Sequence, residues 1–299
     1  MRGASPLGLY GLPPRSRRVD EDLLRFLAED VGPGDITTQA LAGDARVRAA
    51  IVAKREGVVC GLPEASAVFA HLGAKARHLA RDGERVKPGQ QVLVVEGPAA
   101  AVLTGERLAL NLLMRMSGIA TATAALQAKV AAVNPRCRVA ATRKTTPGFR
   151  RFEKRAVEVG GGDPHRFGLF DAFLVKDNHL LVEKDVAAAV RRCRALAPSK
   201  LLQVEADHVE QAFAAAEAGA DAVLLDNFAP GAARDAYRAL KARFPKLMVE
   251  VSGGITPENV ASYADAADRI SLGWLTHSAP ALDFGLDVLP FEVRNNGDL

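Results

Sequence analysis

The sequence predicts an α/β protein in which a TIM-like βα barrel, complete or incomplete, follows an N-terminal α+β sandwich domain. Three observations indicate this fold class. Beyond Arg136, short apolar runs alternate with segments of helical periodicity, as in parallel strands joined by crossover helices. Between Val47 and Gly97, β-rich runs alternate with turns. With 299 residues, the chain is long enough to form both units.

The N-terminal part is predicted to contain a lead-in and the sandwich domain. Residues 1–18 are rich in proline, glycine and arginine, so we expect a flexible lead-in. The sandwich domain is predicted at 19–118 and begins with an amphipathic helix over Asp20–Glu29. Its strands follow as VRAAIVA, GVVCGL and QQVLVVEG. We expect the C-terminal residues 280–299 to pack back on this domain.

A helical pattern covers Thr104–Val133 and is predicted to be interrupted at Ser117-Gly118. Glu106 and Arg107 lie near its start. From the residues alone they are interpreted as a charged first helical turn.

The predicted barrel occupies 119–279 and consists of repeated strand–helix units. Six or seven such units favour a barrel over an open sheet. The apolar runs end near the following residues: Thr142, Val175, Val204, Leu225, Val251 and Leu272.

Polar residues and glycines follow these runs directly. In a βα barrel they all lie at the C-terminal face, where active sites form. Because many are cationic or glycine, we predict a rim that binds phosphate. They are Arg143, Lys144, Lys176, Glu205, Asp226, Ser252, Gly253, Gly254, Ser271 and Gly273.

Positive charge is concentrated in one stretch. Residues 136–176 contain ten Lys/Arg and four Asp/Glu, whereas the whole chain has a surplus of four. Within this stretch, His165-Arg166 follow three glycines and Lys176 ends the run AFLV. Cations at strand ends and glycine turns can converge on one ligand. We therefore predict a site for a small polyanion.

Several of these residues admit two interpretations. The turn Ser252–Gly254, with Ser271–Gly273, predicts a phosphate site, although a plain tight turn is the alternative. Glu205 and Asp226 either pair structurally with rim lysines or hold Mg²⁺ together with ribose hydroxyls. Lys176 is either an anion ligand or a Schiff-base lysine.

Composition argues against several classes of protein. The basic stretch has little aromatic interleaving, which disfavours nucleic-acid binding. Cys60, Cys137 and Cys193 are odd in number and widely spaced, which argues against a disulfide framework or a zinc knuckle. No signal segment and no long apolar stretch is apparent, so we expect a cytoplasmic protein without membrane attachment.

From about Asp20 to Asp287 the chain resembles the quinolinate phosphoribosyltransferase family. The resemblance implies conversion of quinolinate and 5-phosphoribosyl-1-pyrophosphate (PRPP) to nicotinate mononucleotide, pyrophosphate and CO₂, with Mg²⁺, in NAD biosynthesis. The segments that carry it are, in order, EDVGPGDITT, GERLALNLLMRMSGIAT, ATRKTTPGFR, EVGGGDPHRFGLFDAFLVKDNH, VEADHVEQ, VLLDNF and VSGGITPENV.

The resemblance also implies roles for individual residues. Quinolinate would be bound by residues of the basic stretch, namely Thr142, Arg143, His165, Arg166 and Lys176. Lys144 would serve the phosphate side, Glu205 and Asp226 the ribose and the metal, and the two glycine turns the 5′-phosphate. Lys144, Lys176, Glu205 and Asp226 are thus the predicted catalytic residues. The resemblance further implies a homodimer in which Arg107 of the neighbouring subunit completes the site, overturning its interpretation as surface charge.

Two rival functions stay open at this point. One is a Schiff-base aldolase-like barrel that uses Lys176, and the other is a non-catalytic protein that binds nucleic acid or anions through residues 136–176. Neither accounts for Glu205 and Asp226 as well as phosphoribosyl transfer does. One departure from the family pattern is Asp163-Pro164 before His165, where an asparagine is expected.

Overall fold

The computed structural model describes residues 18–289, with side chains described from residue 21 onward. These residues form two compact units, one of residues 122–279 and one of residues 18–121 with 280–289. The predicted lead-in at 1–18, apart from Arg18, and the tail beyond residue 289 lie outside the described residues.

The secondary structure is mixed. The helices are α1 Arg18–Val31, α2 Ile36–Leu41, α3 Leu62–His71, α4 Ala99–Val133, α5 Arg150–Val159, α6 Asp177–Glu183, α7 Val186–Leu196, α8 Val209–Glu217, α9 Pro230–Arg243 and α10 Trp274–His277. The strands are β1 Arg46–Ala53, β2 Gly57–Val58, β3 Lys75–His78, β4 Arg85–Val86, β5 Gln91–Pro98, β6 Arg138–Ala140, β7 Ala172–Val175, β8 Leu201–Ala206, β9 Ala222–Asp226, β10 Met248–Ser252, β11 Arg269–Ser271 and β12 Phe284–Leu289.

The smaller unit contains a four-stranded sheet in the order β12-β1-β5-β3 and a short ribbon of β2 and β4. Strand β1 pairs antiparallel with both β5 and β12, so residues 284–289 belong to this sheet. Ile51, Phe69 and Leu93 are fully buried in its core. Helix α3, which supplies Phe69, was not predicted from the sequence.

Helix α4 runs unbroken over 35 residues, so the predicted interruption at Ser117-Gly118 is wrong. Close packing explains these small residues instead. A Cβ on Gly118 would lie 2.1 Å from the Pro280 carbonyl oxygen. The Ser117 hydroxyl accepts from the Cys60 N–H at 2.9 Å. By length and composition α4 is apolar enough to cross a membrane, but 61% of its most apolar window is buried inside the protein, as in a core helix.

The larger unit contains a parallel sheet in the order β6-β11-β10-β9-β8-β7. From β7 to β11 each strand lies beside the next one in the chain, and β11 pairs with β6, so that β6 and β7 are the two end strands of the sheet. An open doubly wound sheet does not pair its first and last strands, so this order is that of a barrel. Asp163 forms a parallel bridge to Ala140 on the other side of β6. The predicted fold class, an incomplete TIM-like barrel, is confirmed.

Two elements of the barrel unit differ from prediction. The helix expected over TPENVASYADAA is a 3₁₀ turn at Val260–Tyr263, because the Asn259 side chain accepts from the Thr256 N–H and ends the preceding turn. Helix α5 lies within the basic stretch, where we expected loops and strand ends. It buries the charged residues Glu153 and Lys154 together with the apolar Phe152, Ala156 and Val157.

Candidate active site

The predicted rim residues gather at the carboxyl ends of the barrel strands. Lys176 follows the last residue of β7, Glu205 is the second-last residue of β8, and Asp226 and Ser252 end β9 and β10. Strands β8, β9 and β10 are neighbours in the sheet, with Glu205 paired to Leu224 and Ser252 to Asp226 in register. The register therefore brings side chains far apart in the sequence to one mouth.

Lys176 and Glu205 form an ion pair, with 2.5 Å between Nζ and Oε2. The Glu205 side chain is only 9% exposed, whereas that of Lys176 is 42% exposed. The structural pairing considered for Glu205 is thus present. The half-exposed ammonium also remains accessible to an anionic ligand from the solvent side.

The Asp226 carboxyl interacts electrostatically with the ammonium groups of both rim lysines, Lys144 and Lys176. Burial raises the pKa of the Asp226 carboxyl above its ordinary value of 3.8. The Lys176 and Lys144 ammonium groups oppose this rise, while Asp207 and Asp177 add to it. Because such interactions are largely screened beyond about 10 Å, these charges share one region. The mouth therefore contains acidic and basic groups side by side.

The turn after β10 presents unoccupied backbone amides. Gly253 has φ +89° and Gly254 has φ +61°, and a Cβ on Gly254 would have no atom within 4 Å. Among the residues the structure describes, the amides of Gly253 and Gly254 donate to no other group. Asn227, whose own φ is +57°, packs against Gly253 and donates its side-chain amide to Asp226 at 2.6 Å. Such a concavity of N–H groups suits a phosphate.

A second glycine contact positions Lys144. A Cβ on Gly273 would lie 2.8 Å from Lys144 Cδ and 3.0 Å from His277 Nε2. The Thr276 hydroxyl donates to the Lys144 carbonyl oxygen at 2.7 Å, and the Lys144 N–H donates to Thr142 Oγ1 at 3.0 Å. The missing side chain at residue 273 thus leaves room for the lysine at the barrel mouth.

Arg143 carries an unsatisfied donor. Its Nε is buried and has no hydrogen-bond partner within the described part of the chain. A buried guanidinium nitrogen without an acceptor is costly, and a carboxylate or phosphate ligand would satisfy it. This is the kind of group that an anion-binding site leaves open.

His165 is held from both sides of its ring. Its Nδ1 accepts from the Arg166 N–H at 2.7 Å, so Nε2 carries the proton and lies 3.3 Å from Glu250 Oε2. Burial lowers the pKa of His165 below its ordinary value, although Glu250 opposes this. Its backbone is left-handed, with φ +56°. Its substrate-binding role stays a prediction, because both ring nitrogens bind protein groups in this structure.

A polar cluster fills the barrel interior beneath the mouth. Arg269 binds Glu250 at 2.5 Å and Asp163 at 3.1 Å, and Gln203 donates to Glu250 at 2.9 Å. Burial alone would raise the pKa of Glu250, but Arg269 and His165 hold it below its ordinary value. Asp163 thus serves as a partner of Arg269.

Three further predicted site residues are two buried ones, Ser271 and Arg166, and an exposed one, Arg107. Ser271 is buried and its side chain bonds Glu250 in the interior cluster. Arg107 is exposed on α4 in the smaller unit. Arg166 is buried, with one guanidinium nitrogen 3.4 Å from the Ala172 carbonyl oxygen.

Sequence reasoning missed Asn227, Glu250, Arg269 and the buried lysine of α5. The signal for Glu250 and Arg269 was present, since each is a charge inside an apolar strand of the barrel.

A cavity of 1190 Å³ was also not predicted. It lies at the opposite end of the barrel, where Leu201, Asp221 and Met248 line it near the starts of their strands, and it contains none of the predicted site residues.

Comparison with known proteins identifies similar sequences and folds over nearly the whole described chain. Residues 35–117 and 119–287 match the family models for the N-terminal and C-terminal domains of quinolinate phosphoribosyl transferase. A probable nicotinate-nucleotide pyrophosphorylase [carboxylating] of Archaeoglobus fulgidus is 49% identical and covers 81% of this chain and 95% of its own. The human nicotinate-nucleotide pyrophosphorylase [carboxylating] is 43% identical, with coverages of 90% and 91%. The crystal structure of NadC from Streptococcus pyogenes superposes with a TM-score of 0.85 at 36% identity, with coverages of 93% and 100%.

Proposed function

We infer that this chain, which belongs to the quinolinate phosphoribosyltransferase family, is a pentosyltransferase of NAD biosynthesis. It transfers the phosphoribosyl group of PRPP to quinolinate with loss of CO₂, giving nicotinate mononucleotide and pyrophosphate, the reaction for which its relatives are named. One structural observation supports this most: Lys144, Lys176 and Asp226 share one electrostatic region at the barrel mouth.

Quinolinate is expected to bind on the basic side of the mouth. It carries two adjacent carboxylates, which require paired cations, and Arg143 offers a buried Nε that has no acceptor among the described residues. Lys176 is half-exposed and can bind a carboxylate while it keeps its contact with Glu205. Arg166 completes the cationic set, and the neutral His165 beside it orients the loop.

PRPP is expected to bind on the glycine side. The turn at Gly253 and Gly254 lies beside Asp226 with its amides unoccupied among the described residues, and Lys144 lies over Gly273. The 5′-phosphate fits the amides, since backbone N–H groups in a positive-φ turn bind phosphate oxygens. Lys144 then lies within reach of the phosphate oxygens, and Asp226 faces the ribose.

The reaction requires displacement at C1 of the ribose by the pyridine nitrogen. Positive charge develops on the ribose as the C1–pyrophosphate bond breaks, and the carboxylates of Glu205 and Asp226 stabilise that charge. The new N–C bond makes the pyridine ring cationic. The ring then accepts the electron pair left when the C2–carboxylate bond breaks to release CO₂, and a proton from solvent takes that position. For this step the cations mainly orient the substrate.

Mg²⁺ is part of the proposal, and the residues present fit it. Mg²⁺ is commonly held by one or two carboxylates together with substrate phosphates rather than by a complete protein cage. Glu205 and Asp226 supply two carboxylates, and no cluster of three or more metal-binding side chains is found among the described residues. The ion would neutralise the pyrophosphate as it leaves.

Two further parts of the proposal concern the assembly and its location. We propose a homodimer in which Arg107, exposed on α4, enters the quinolinate site of the neighbouring subunit. We also propose that the protein acts in the cytoplasm, where its substrates would be produced.

The test is turnover with purified protein, quinolinate, PRPP and Mg²⁺. We expect equal amounts of CO₂ and nicotinate mononucleotide, and at least a hundredfold loss of kcat/KM for quinolinate in Arg143→Ala. Borohydride treatment with substrate present should trap no adduct on Lys176, whereas a trapped adduct would favour the aldolase-like alternative. Folded protein that yields no nicotinate mononucleotide would exclude the proposed reaction.

A further inference from the structure

Helix α5 contacts both loops that carry the predicted quinolinate cations. Arg150 Nε donates to Thr145 Oγ1 at 2.8 Å, and its NH2 lies 3.5 Å from the Arg143 carbonyl oxygen. The same side chain donates from NH1 to the Phe167 carbonyl oxygen at 3.2 Å. One guanidinium therefore joins the Arg143 loop to the loop that holds Arg166.

Lys154 lies one turn further along α5 and binds the second loop on the other side of Arg166. Its Nζ donates to the Pro164 carbonyl oxygen and lies 3.5 Å from that of His165. Residues four apart on a helix face the same way, so Arg150 and Lys154 reach the loop together. Their carbonyl partners flank Arg166 in sequence.

The third contact comes from Glu153 on the same helix. It accepts from the Thr146 N–H and from the Thr146 hydroxyl, both at 3.0 Å. Glu153 and Lys154 are fully buried. Consecutive charged residues of α5 thus fix the two loops from behind, away from the mouth.

The burial of Lys154 has a cost that folding alone does not explain. The side chain is 0% exposed, and no carboxylate among the described residues lies within the 4.0 Å of an ion pair. Burial lowers the pKa of Lys154 to about 7, with Arg150 and Arg166 adding to the effect and Asp163 and Asp171 opposing it. An apolar side chain of similar length would avoid this penalty, since replacing buried charges by apolar groups is often neutral or stabilising. The contacts that offset this cost among the described residues are those to the Pro164 and His165 carbonyl oxygens, so Lys154 is tied to this loop.

We propose that Arg150 and Lys154 are positioning residues, which hold the Arg143 loop and the His165–Arg166 loop in the geometry that binds the two carboxylates of quinolinate. The proposal rests on the proposed function for the identity of the ligand. Neither residue touches the substrate itself. Lys154 sets the left-handed turn at His165, and Arg150 fixes the spacing between the two loops.

The first test is kinetic and uses Lys154→Met in the full-length protein. Methionine has a similar length but cannot donate to the carbonyl oxygens. We expect KM for quinolinate to rise at least tenfold, while KM for PRPP changes less than threefold. An unchanged KM for quinolinate, or an equal rise for both substrates, would overturn the proposal.

A matched control is available at the other end of the barrel. Lys241 also donates to a carbonyl oxygen, that of Leu247 at 2.7 Å, and lies near the strand starts. Lys241→Met removes this contact, together with an ion pair to Asp268 at 2.8 Å, far from the mouth, so both KM values should stay within twofold of the parent. A loss of quinolinate affinity in this control would contradict the assignment of the effect to the loops.

A second measurement does not depend on turnover. Hydrogen exchange of the amides of residues 163–168 reports the loop directly, and we expect Lys154→Met to accelerate it at least tenfold. Parent-like exchange in that segment would overturn the positioning role, even if the parent enzyme were inactive with quinolinate. An inactive parent with accelerated loop exchange in the variant would instead refute the proposed reaction, while the positioning role of Lys154 would still hold.

If Lys154→Met does not fold, the pH dependence of the parent provides the test. The ammonium form is the stronger donor, so KM for quinolinate should rise as pH increases through about 7, and Lys154→Gln should lose this dependence. The groups that face Lys154 are Arg150, Arg166, Asp163, Asp171 and His165, whose carbonyl oxygen lies 3.5 Å from Nζ. Only His165 has an ordinary pKa near that range, and its burial lowers that pKa, away from 7. A pH dependence caused by His165 would persist in Lys154→Gln. A parent KM independent of pH between 6 and about 8 would contradict the proposal.

Discussion

Gly253→Ala is expected to disrupt the phosphate turn, because both the backbone and a neighbour of Gly253 exclude a side chain. Its φ of +89° is one that other residues rarely adopt, and a Cβ would lie 2.2 Å from Asn227 Oδ1 and 2.7 Å from the Asn227 backbone nitrogen. The side-chain amide of Asn227 can rotate away, but its backbone nitrogen is fixed at the end of β9. The turn must therefore move relative to that strand.

The expected losses of stability and of kcat/KM in Gly253→Ala follow from these contacts. A left-handed backbone costs about 1–2 kcal/mol for a residue with a Cβ. Overpacking against fixed atoms adds about 1–3 kcal/mol. For a unit of this size, the sum lowers Tm by roughly 5–15 °C. A displacement of about 1 Å at the phosphate turn is enough to lower kcat/KM for PRPP by about a hundredfold.

Gly219→Ala is the matched control. Gly219 has φ +96° and follows α8 at the other end of the barrel, and a Cβ added to it would meet no atom within 4 Å. It should show the backbone cost alone, about 1–2 kcal/mol, with unchanged kcat/KM for PRPP. Thermal unfolding and initial rates at varied PRPP measure both quantities. Parent-like kcat/KM in Gly253→Ala, or an equal loss in Gly219→Ala, would refute this reasoning.

Three further predictions concern other parts of the chain. Lys176→Met should lower stability, because it leaves the buried Glu205 carboxylate without its cation, and should lower kcat at least a hundredfold, as measured by unfolding and steady-state rates; parent-like kcat would exclude its predicted role. Gly118→Ala should lower stability by about 1–3 kcal/mol or more, because its Cβ would meet the Pro280 carbonyl oxygen at 2.1 Å, and denaturant unfolding with an unchanged midpoint would contradict the packing described. Since burial raises the pKa of Asp226, the parent should lose stability as pH rises from 3.8 through the raised pKa. Asp226→Asn should remove this loss of stability and should also abolish turnover. Identical unfolding profiles of the two proteins between pH 3.5 and about 6 would argue against the pKa shift.

The strands of the barrel were predictable because the signal is local. Each buried strand is a short apolar run that ends at a turn. Barrel geometry alone places the residues at this end of the run on the C-terminal face. Lys176, Glu205 and Asp226 were located in this way. Their mutual approach required the register between β8 and β9, which no local pattern specifies.

The errors share one physical cause, the override of local preference by tertiary contacts. Gly118 disfavours a helix, yet α4 continues through it because the C-terminal segment packs directly on its backbone. Helix α5 was not predicted, because two of its charged residues, Glu153 and Lys154, are buried beside its few apolar ones. Charges that bind loops rather than solvent cannot be distinguished from surface charges by sequence alone.

The most direct test of the converging site is a crystal structure with PRPP, Mg²⁺ and benzene-1,2-dicarboxylate, which has both carboxylates of quinolinate but no ring nitrogen to react. We predict the dicarboxylate beside Arg143 and Lys176, and the 5′-phosphate on the amides of Gly253 and Gly254. Ligands bound in the cavity at the opposite end of the barrel, or separated on unrelated surfaces, would contradict a converging site at the barrel mouth.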